Sequence, residues 1–135
     1  MTPIQALQKY FGYSTFRHEQ EAIIQNILKG QDVMALMPTG GGKSLCYQLP
    51  AVLLDGLTIV ISPLIALMKD QVDALERRGI AATLINSSLS PAEQQERIRS
   101  LSRGDYKLVY IAPERFRSRS FVEALEQATI GLFAV

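Results

Sequence analysis

Residues 37–50 read MPTGGGKSLCYQLP, in which three consecutive glycines precede a lysine and a serine. Glycines let backbone N–H groups curl around phosphate oxygens, and the N-terminus of a following helix adds a positive dipole. The strict phosphate-loop pattern has a glycine five places before Gly42, where this chain has Met37. The stretch alone therefore predicts either a phosphate-binding loop or a glycine-rich turn with an exposed lysine.

The sequence on either side of the glycines favours phosphate binding. VMALM at 33–37 is a β-rich apolar run, and SLCYQLPAVLL at 44–54 has a helical pattern. A strand, a glycine loop and a helix in this order are the context in which a glycine-lysine-serine match indicates nucleotide binding. In that context Lys43 neutralises the terminal phosphates and the Ser44 hydroxyl ligates Mg²⁺.

Apolar runs alternate with helical patterns along the rest of the chain. The helix from Ser90 is marked by a capping box with Glu93 and by proline at its first position. Strands without in/out alternation are buried on both faces, which predicts an α/β doubly wound domain with a parallel sheet between helices. The predicted strands are residues 33–37, 57–62, 80–85, 107–112 and 130–135. The predicted helices are residues 44–54, 64–78, 90–102 and 121–127.

Composition limits the class of protein. The 135 residues are 47% hydrophobic and 20% charged, which is typical of one globular domain. A net charge of +1 and a single cysteine, Cys46, exclude a strongly basic module, an internal disulfide and an all-cysteine metal site. We find no secretion signal and no apolar run near the roughly 20 residues that span a bilayer. We expect a soluble protein in a reducing, intracellular compartment.

A second group of residues, in FGYSTFRHEQEAI at 11–23, suggests an adenine site. The Gln20 amide can pair with the adenine edge through one donor and one acceptor. Tyr13 and Arg17 are flat groups that can stack on a base. The alternative is that Phe11, Tyr13 and Phe16 pack a helix start while Arg17 and Gln20 face solvent. On residue types alone the packing alternative is favoured.

Together these patterns resemble the superfamily 2 helicases, and specifically the RecQ family. Family members show FG-x-x-x-FR-x-x-Q followed by MPTGGGKS-x-CYQ-P, and both are present here. The run SPLIALMKDQV at 62–72 resembles the next family motif, and YIAPERF at 110–116 the one after. The family's loop accepts a residue other than glycine at the position of Met37. One departure is His18, where many relatives have proline, and we interpret it as a solvated loop histidine.

The resemblance implies an ATP-dependent DNA helicase that moves 3′ to 5′ and unwinds DNA in recombination and repair. Residues 1–135 are then the first of two RecA-like lobes, with ATP bound between the lobes. Lys43 and Ser44 are the implied catalytic residues, and Ser44 is the implied Mg²⁺ ligand. The implied ATP-binding residues are Tyr13, Arg17, Gln20, Thr39, Gly40, Gly41, Gly42, Lys43 and Ser44.

The resemblance also implies contacts with the backbone of single-stranded DNA, on the same edge of the sheet as the phosphate loop. A hydroxyl, loop N–H groups and an arginine suit phosphate positioning and carry no base code. For Lys69 a solvated position is an equal alternative, and Arg117 and Arg119 are solvated by default. The implied DNA-binding residues are Ser62, Pro63, Lys69, Pro113, Glu114 and Arg115.

Hydrolysis in this family needs an acidic pair, the aspartate and glutamate of an Asp-Glu-Ala-His motif. This motif would begin immediately after Val135. We therefore expect a truncated first lobe that binds nucleotide weakly, neither hydrolyses it efficiently nor unwinds DNA, and leaves the edge of its 130–135 strand uncovered. The alternatives are a non-catalytic nucleotide- or DNA-binding fragment and another adenine-specific superfamily 2 helicase, such as an RNA helicase. The expected partners are DNA and a second lobe, in the bacterial cytoplasm (nucleoid) or a nucleus.

Overall fold

The structure, a computed structural model, describes residues 1–17, 19–35 and 42–135. These residues form two compact units, an amino-terminal unit of Met1–Leu54 and a carboxy-terminal unit of Asp55–Val135. In the described parts of the chain, every helix is too short or too polar to cross a bilayer.

The amino-terminal unit is helical. Helix α1 spans Pro3–Ala6 and continues as a π-helical segment over Leu7–Phe11. Helix α2 spans Gln20–Leu28, and helix α3 spans Lys43–Leu53 and runs through Pro50. Helix α3 packs against α1 and α2, and the interior is formed by fully buried side chains that include Leu7, Ile24 and Leu49. The predicted helix after the glycine loop is confirmed.

The predicted strand at 33–37 is wrong for the residues that the structure describes. Val33, Met34 and Ala35 have no strand geometry, and Met34 is 90% exposed. The remaining two positions of the run lie outside the described residues. An apolar run becomes a strand only where a neighbouring backbone pairs with it, and hydrophobicity alone does not reveal that partner.

The carboxy-terminal unit contains a four-stranded sheet in which every pair is parallel, in the order β2-β3-β1-β4. The central strands are in register, with Ile61 opposite Ile111 and Ile85 also opposite Ile111. The parallel sheet and the α/β class predicted from the sequence are confirmed. The strands are β1 (Leu57–Ile61), β2 (Ala82–Ile85), β3 (Leu108–Ile111) and β4 (Ile130–Ala134).

Three helices and a 3₁₀ turn connect the strands. The predicted capping box is present, because Ser90 Oγ accepts from the Glu93 N–H and Glu93 Oε1 accepts from the Ser90 N–H. The last helix begins two residues earlier than predicted, because Ser118 caps it. The connecting elements are α4 (Ile65–Arg77), α5 (Pro91–Ser102), the 3₁₀ turn (Pro113–Arg117) and α6 (Arg119–Gln127).

Strand β4 differs from the other three strands. Strands β2 and β3 are buried along their whole length, and β1 nearly so, whereas β4 alternates between half-buried and exposed positions, with Phe133 53% exposed. The prediction that every strand is buried on both faces is therefore wrong for β4. Within the described sheet β4 pairs only with β1, so it is an edge strand.

Candidate functional site

The N-terminus of α3 presents the described part of the glycine-lysine-serine motif. Gly42 is the N-cap residue of α3 and has left-handed backbone angles, with φ 80° and ψ 36°. Lys43 and Ser44 form the first turn, where Lys43 is exposed and Ser44 half-buried. The first N–H groups of an eleven-residue helix have no acceptor within the helix, and its N-terminus carries a positive partial charge, so this helix end suits an anion.

Gln20 connects the start of α2 to this helix N-terminus. Its Nε2 donates to the Gly42 carbonyl at 3.2 Å, and its Oε1 accepts from the Arg17 backbone N–H at 2.9 Å. The Gln20 residue is only 3% exposed. The structure therefore brings two predicted adenine-site residues, Arg17 and Gln20, to the last glycine of the motif.

Gly42 has no room for a side chain. A Cβ built on Gly42 would collide with Nε2 of Gln20 and would lie 3.4 Å from Nη2 of Arg17. The positive φ of Gly42 is also strained for any L side chain. Glycine is thus required here both by backbone conformation and by the packing of Gln20.

The remaining predicted adenine-site residue, Tyr13, is 56% exposed, whereas Phe11 is buried. The packing alternative is therefore correct for the buried Phe11 and the exposed Arg17. It is wrong for Tyr13, which is exposed, and for Gln20, which does not face solvent. The predicted site residues outside the described parts are Thr39, Gly40 and Gly41, as are Met37 and His18 of the motif comparison.

The predicted DNA-binding residues lie where two adjacent strands end. The Ser62 N–H donates to the Ile111 carbonyl at 3.0 Å, which extends the pairing of β1 with β3 by one residue. Ser62 Oγ accepts from the Leu64 N–H at 3.1 Å, so Ser62 and Pro63 form the turn into α4. Pro113 starts the 3₁₀ turn two residues after β3 ends at Ile111, and Ala112 is the N-cap residue of this turn. The two predicted motifs are thereby neighbours at the carboxyl ends of β1 and β3.

Lys69 is separated from that pair of motifs. Its side chain is 76% exposed, and its Nζ lies 2.8 Å from Asp73 Oδ2 one turn further along α4. The hydrogen bond and charge of Asp73 raise the pKa of Lys69. Lys69 lines a cavity of ≈ 660 Å³ with Thr83 and Arg97, whereas Glu114 and Arg115 line another. The structure therefore places Lys69 at a different cavity from the one that Glu114 and Arg115 line.

The sequence interpretation missed the turn after β2. Glu114 and Arg115 line a cavity of ≈ 490 Å³ together with Asn86 and Ser87. The buried Asn86 Oδ1 accepts from the Ser88 N–H at 2.9 Å, which fixes this turn. Since functional residues of parallel sheets follow the strands, the position of Asn86 and Ser87 just after the predicted 80–85 strand was the available signal.

The buried Nε of Arg115 has no hydrogen-bond partner among the described residues. A buried guanidinium N–H without a partner is costly, and an anion beside it would satisfy that N–H. Arg117 and Ser118 line the same cavity. This lining suits a phosphate group.

Among the described residues no group of three or more His, Cys, Asp or Glu side chains is placed to hold a metal ion. The predicted contact of Ser44 with Mg²⁺ stays a prediction.

The profile of the family described as DEAD/DEAH box helicase matches residues 17–132 of the chain. The chain belongs to this family. It is 52% identical over 130 residues to the ATP-dependent DNA helicase RecQ of Bacillus subtilis, covering 96% of this chain and 22% of that protein. It is 46% identical over 134 residues to the RecQ helicase of Haemophilus influenzae, covering 99% of this chain and 22% of that protein.

The resemblance to RecQ helicases predicted from the motifs is confirmed by these identities. The chain spans about a fifth of the length of these curated relatives, at 22% for both. A crystal structure of a hypothetical ATP-dependent RNA helicase from Sulfolobus tokodaii matches with a TM-score of 0.67 and 18% identity, covering 98% of this chain and 49% of that one. This likeness confirms the helicase-type α/β fold.

Proposed function

We propose that this chain is the ATP-binding part of a RecQ-type DNA helicase, a motor that unwinds DNA in the 3′ to 5′ direction with the energy of ATP. The observation that carries the proposal is the gathering of Arg17 and Gln20 around Gly42 at the N-terminus of α3. The 46–52% identity to proteins named RecQ supports the same activity. The natural location of such a protein is with DNA, in a nucleoid or nucleus.

In this proposal the phosphates bind at the N-terminus of α3. Gly42 offers close backbone approach and the exposed Lys43 supplies positive charge. Thr39, Gly40 and Gly41, which lie outside the described residues, are proposed as further phosphate contacts. Ser44 holds Mg²⁺ together with phosphate oxygens and water. When bound, Mg²⁺ neutralises charge that develops on the phosphates during transfer. Lys43 adds positive charge at the same phosphates.

The adenine base is bound by Tyr13 and Arg17, which precede α2, and by Gln20, the first residue of α2. Tyr13 is exposed and Arg17 is exposed beside Gly42, so both have flat faces available for stacking. Gln20 keeps one amide N–H and one oxygen lone pair beyond its two internal hydrogen bonds. Those remaining groups are the donor and acceptor that the adenine edge requires.

Single-stranded DNA is proposed to run along the ends of β1 and β3. Ser62, Pro63, Pro113, Glu114 and Arg115 lie there. The Nε of Arg115, which has no hydrogen-bond partner among the described residues, suits a backbone phosphate. Contacts of this kind bind any sequence, as a translocating motor requires. Lys69 contributes more weakly, because Asp73 already compensates its charge.

Direct titration of the purified chain with MgATP tests the proposal. We expect measurable binding that Lys43→Ala weakens about tenfold or more, because a charge-assisted contact is worth about 1.5–3 kcal/mol. Lys29→Ala is the matched control, since Lys29 is an exposed lysine at the carboxyl end of α2, whereas the proposed site includes Gln20 at the amino end of that helix. Equal weakening by both variants, or no binding by the unaltered chain, would contradict the proposal.

A further inference from the structure

We propose that Gln20 is a positioning residue for the N-terminus of α3: its amide holds the carbonyl of Gly42 and so fixes this helix end, whether or not a base is bound. This inference rests on the proposed nucleotide site and gives Gln20 a role there that does not depend on adenine. It predicts that Gln20 affects the binding of phosphate chains that carry no base at all.

The geometry of Gln20 is that of a structural bridge. Both ends of its amide are engaged inside the protein, the oxygen with the Arg17 N–H and the nitrogen with the Gly42 carbonyl. The side chain is buried, whereas a residue used only to read a ligand would have its amide groups open to the site. The bridge joins positions 22 residues apart in the chain, so local sequence cannot supply it.

Gly42 is the residue on which this bridge acts. Its left-handed backbone is the junction between the glycine loop and α3, and the orientation of its peptide determines where the first N–H groups of α3 point. A left-handed glycine has many other accessible conformations, so holding it in one of them needs an external contact. The hydrogen bond from Gln20 Nε2 to its carbonyl is such a contact.

The contact is also tight. A methyl group on Gly42 would collide with the Gln20 amide, so the two residues are fitted to each other. Arg17 contacts both residues: its backbone N–H donates to Gln20, and its guanidinium lies near Gly42. Loss of the Gln20 amide would therefore leave both the Gly42 carbonyl and the Arg17 N–H without this partner.

Binding of inorganic tripolyphosphate with Mg²⁺ tests the inference, because this probe has phosphates and no base. We expect Gln20→Ala to weaken tripolyphosphate binding about tenfold, the effect of losing one buried hydrogen-bond partner. Gln25→Ala, on the exposed face of the same helix, is the control and should leave binding unchanged. If Gln20→Ala weakens MgATP but binds tripolyphosphate normally, Gln20 reads only the base and the inference is overturned. If the unaltered chain binds neither compound, the proposed nucleotide site itself is wrong.

Gln20→Glu provides a second test that does not depend on truncating the side chain. Its carboxylate keeps an acceptor for the Arg17 N–H but places a negative charge against the Gly42 carbonyl. Protonation of that carboxyl, whose ordinary pKa is about 4.3, restores a donor, so the tripolyphosphate affinity of Gln20→Glu should rise toward that of the unaltered chain as the pH falls from 7.5 to about 4. A ratio of the two affinities that stays constant over this range contradicts the positioning role.

Discussion

The N-terminus of α3 and the carboxyl ends of β1 and β3 carry the two halves of the proposed chemistry, and they are built differently. At α3 the central polar group, Gln20, is buried and held by two hydrogen bonds. At the strand ends, Pro113, Glu114 and Arg117 are exposed, and Arg115 is half-buried. The first region is a fitted cluster of three residues, and the second is an open surface.

The difference teaches what each region can recognise. A buried and hydrogen-bonded cluster holds backbone groups in one orientation, as binding of a small phosphate chain requires. An open surface with positive charge tolerates many positions of a ligand, as an extended nucleic-acid backbone requires. Substitutions should therefore have large and specific effects at α3 and smaller, salt-dependent effects at the strand ends.

The largest expected effect is that of Gly42→Ala. The methyl group would collide with Gln20 and would force alanine into a left-handed conformation, so we expect a loss of about 1–3 kcal/mol in the free energy of unfolding. MgATP binding should fall with it, by about tenfold or more. Chemical denaturation and titration measure the two quantities.

Gly30→Ala is the matched control for Gly42→Ala. Gly30 has nearly the same φ, 82° against 80°, but a Cβ there would meet nothing within 4 Å. It should show the conformational strain alone, about 1 kcal/mol, and bind MgATP normally. If both variants lose stability and nucleotide affinity equally, the fit between Gly42 and Gln20 has no functional role.

A smaller effect is expected for Arg115→Ala at the strand ends. Binding of a fluorescent single-stranded oligonucleotide should weaken, and the slope of log K against log salt should fall by about 1, because one phosphate contact is lost. Arg77→Ala is the control, because Arg77 is the last residue of α4 and lies at the helix end away from Ser62 and Pro63. This variant should leave the affinity and the salt slope unchanged. An affinity that changes equally in both variants would indicate general charge rather than a site.

Ser87→Ala extends this test to the turn that the sequence interpretation missed. Ser87 is exposed and lines the same cavity as Arg115, so its hydroxyl is placed to contact the same phosphate. We expect a weakening of oligonucleotide binding about threefold or less, the effect of one neutral hydrogen bond at a solvated site. Ser102→Ala, an exposed serine at the end of α5, is the control. No difference between the two would exclude Ser87 from the DNA surface.

The smallest expected effect concerns pH and lies outside both regions. Hydrogen bonds from Ser90 lower the pKa of Glu93, and those from Arg99 and then Arg103 lower the pKa of Glu96, both from an ordinary value of 4.5. Each carboxylate therefore stabilises the fold above pH 4.5, and this contribution is lost as the pH falls through the lowered pKa.

The variant Glu96→Gln should accordingly show a flatter decline in unfolding temperature below pH 4.5 than the unaltered chain. Thermal unfolding monitored by circular dichroism at a series of acidic pH values measures this decline. MgATP binding at neutral pH should be unaffected. An unchanged acid profile would mean that the ion pairs of Glu96 with Arg99 and Arg103 contribute nothing to stability.

Local signals in the sequence predicted the structure where the cause of the structure is itself local. The capping box at Ser90 involves residues three positions apart, and the buried strands are continuous apolar runs. The parallel sheet followed from the lack of alternation in those runs. The prediction of a strand at 33–37 was wrong for residues 33–35. A strand there needs a pairing partner, which the apolar run itself does not specify.

The site was predicted in composition but not in arrangement. The resemblance to RecQ helicases implied that Arg17, Gln20 and Gly42 contact one ligand, and the structure brings them together. The burial of Gln20 depends on a contact 22 residues away, which no spacing in the sequence reveals. The turn at Asn86 was missed because its role comes from its place at a strand end, in a segment that matches no motif.

The central claim is that the N-terminus of α3, with Arg17 and Gln20, binds an adenine nucleotide. Titration of the ¹⁵N-labelled chain with MgATP and with MgGTP, followed by backbone amide chemical shifts, tests it most directly. We expect MgATP to shift the amide signals of Gly42, Lys43 and Ser44 together with those of Arg17 and Gln20. MgGTP should shift the first three at higher concentration. Shifts confined to Asp55–Val135, or identical responses to the two nucleotides, would contradict the claim.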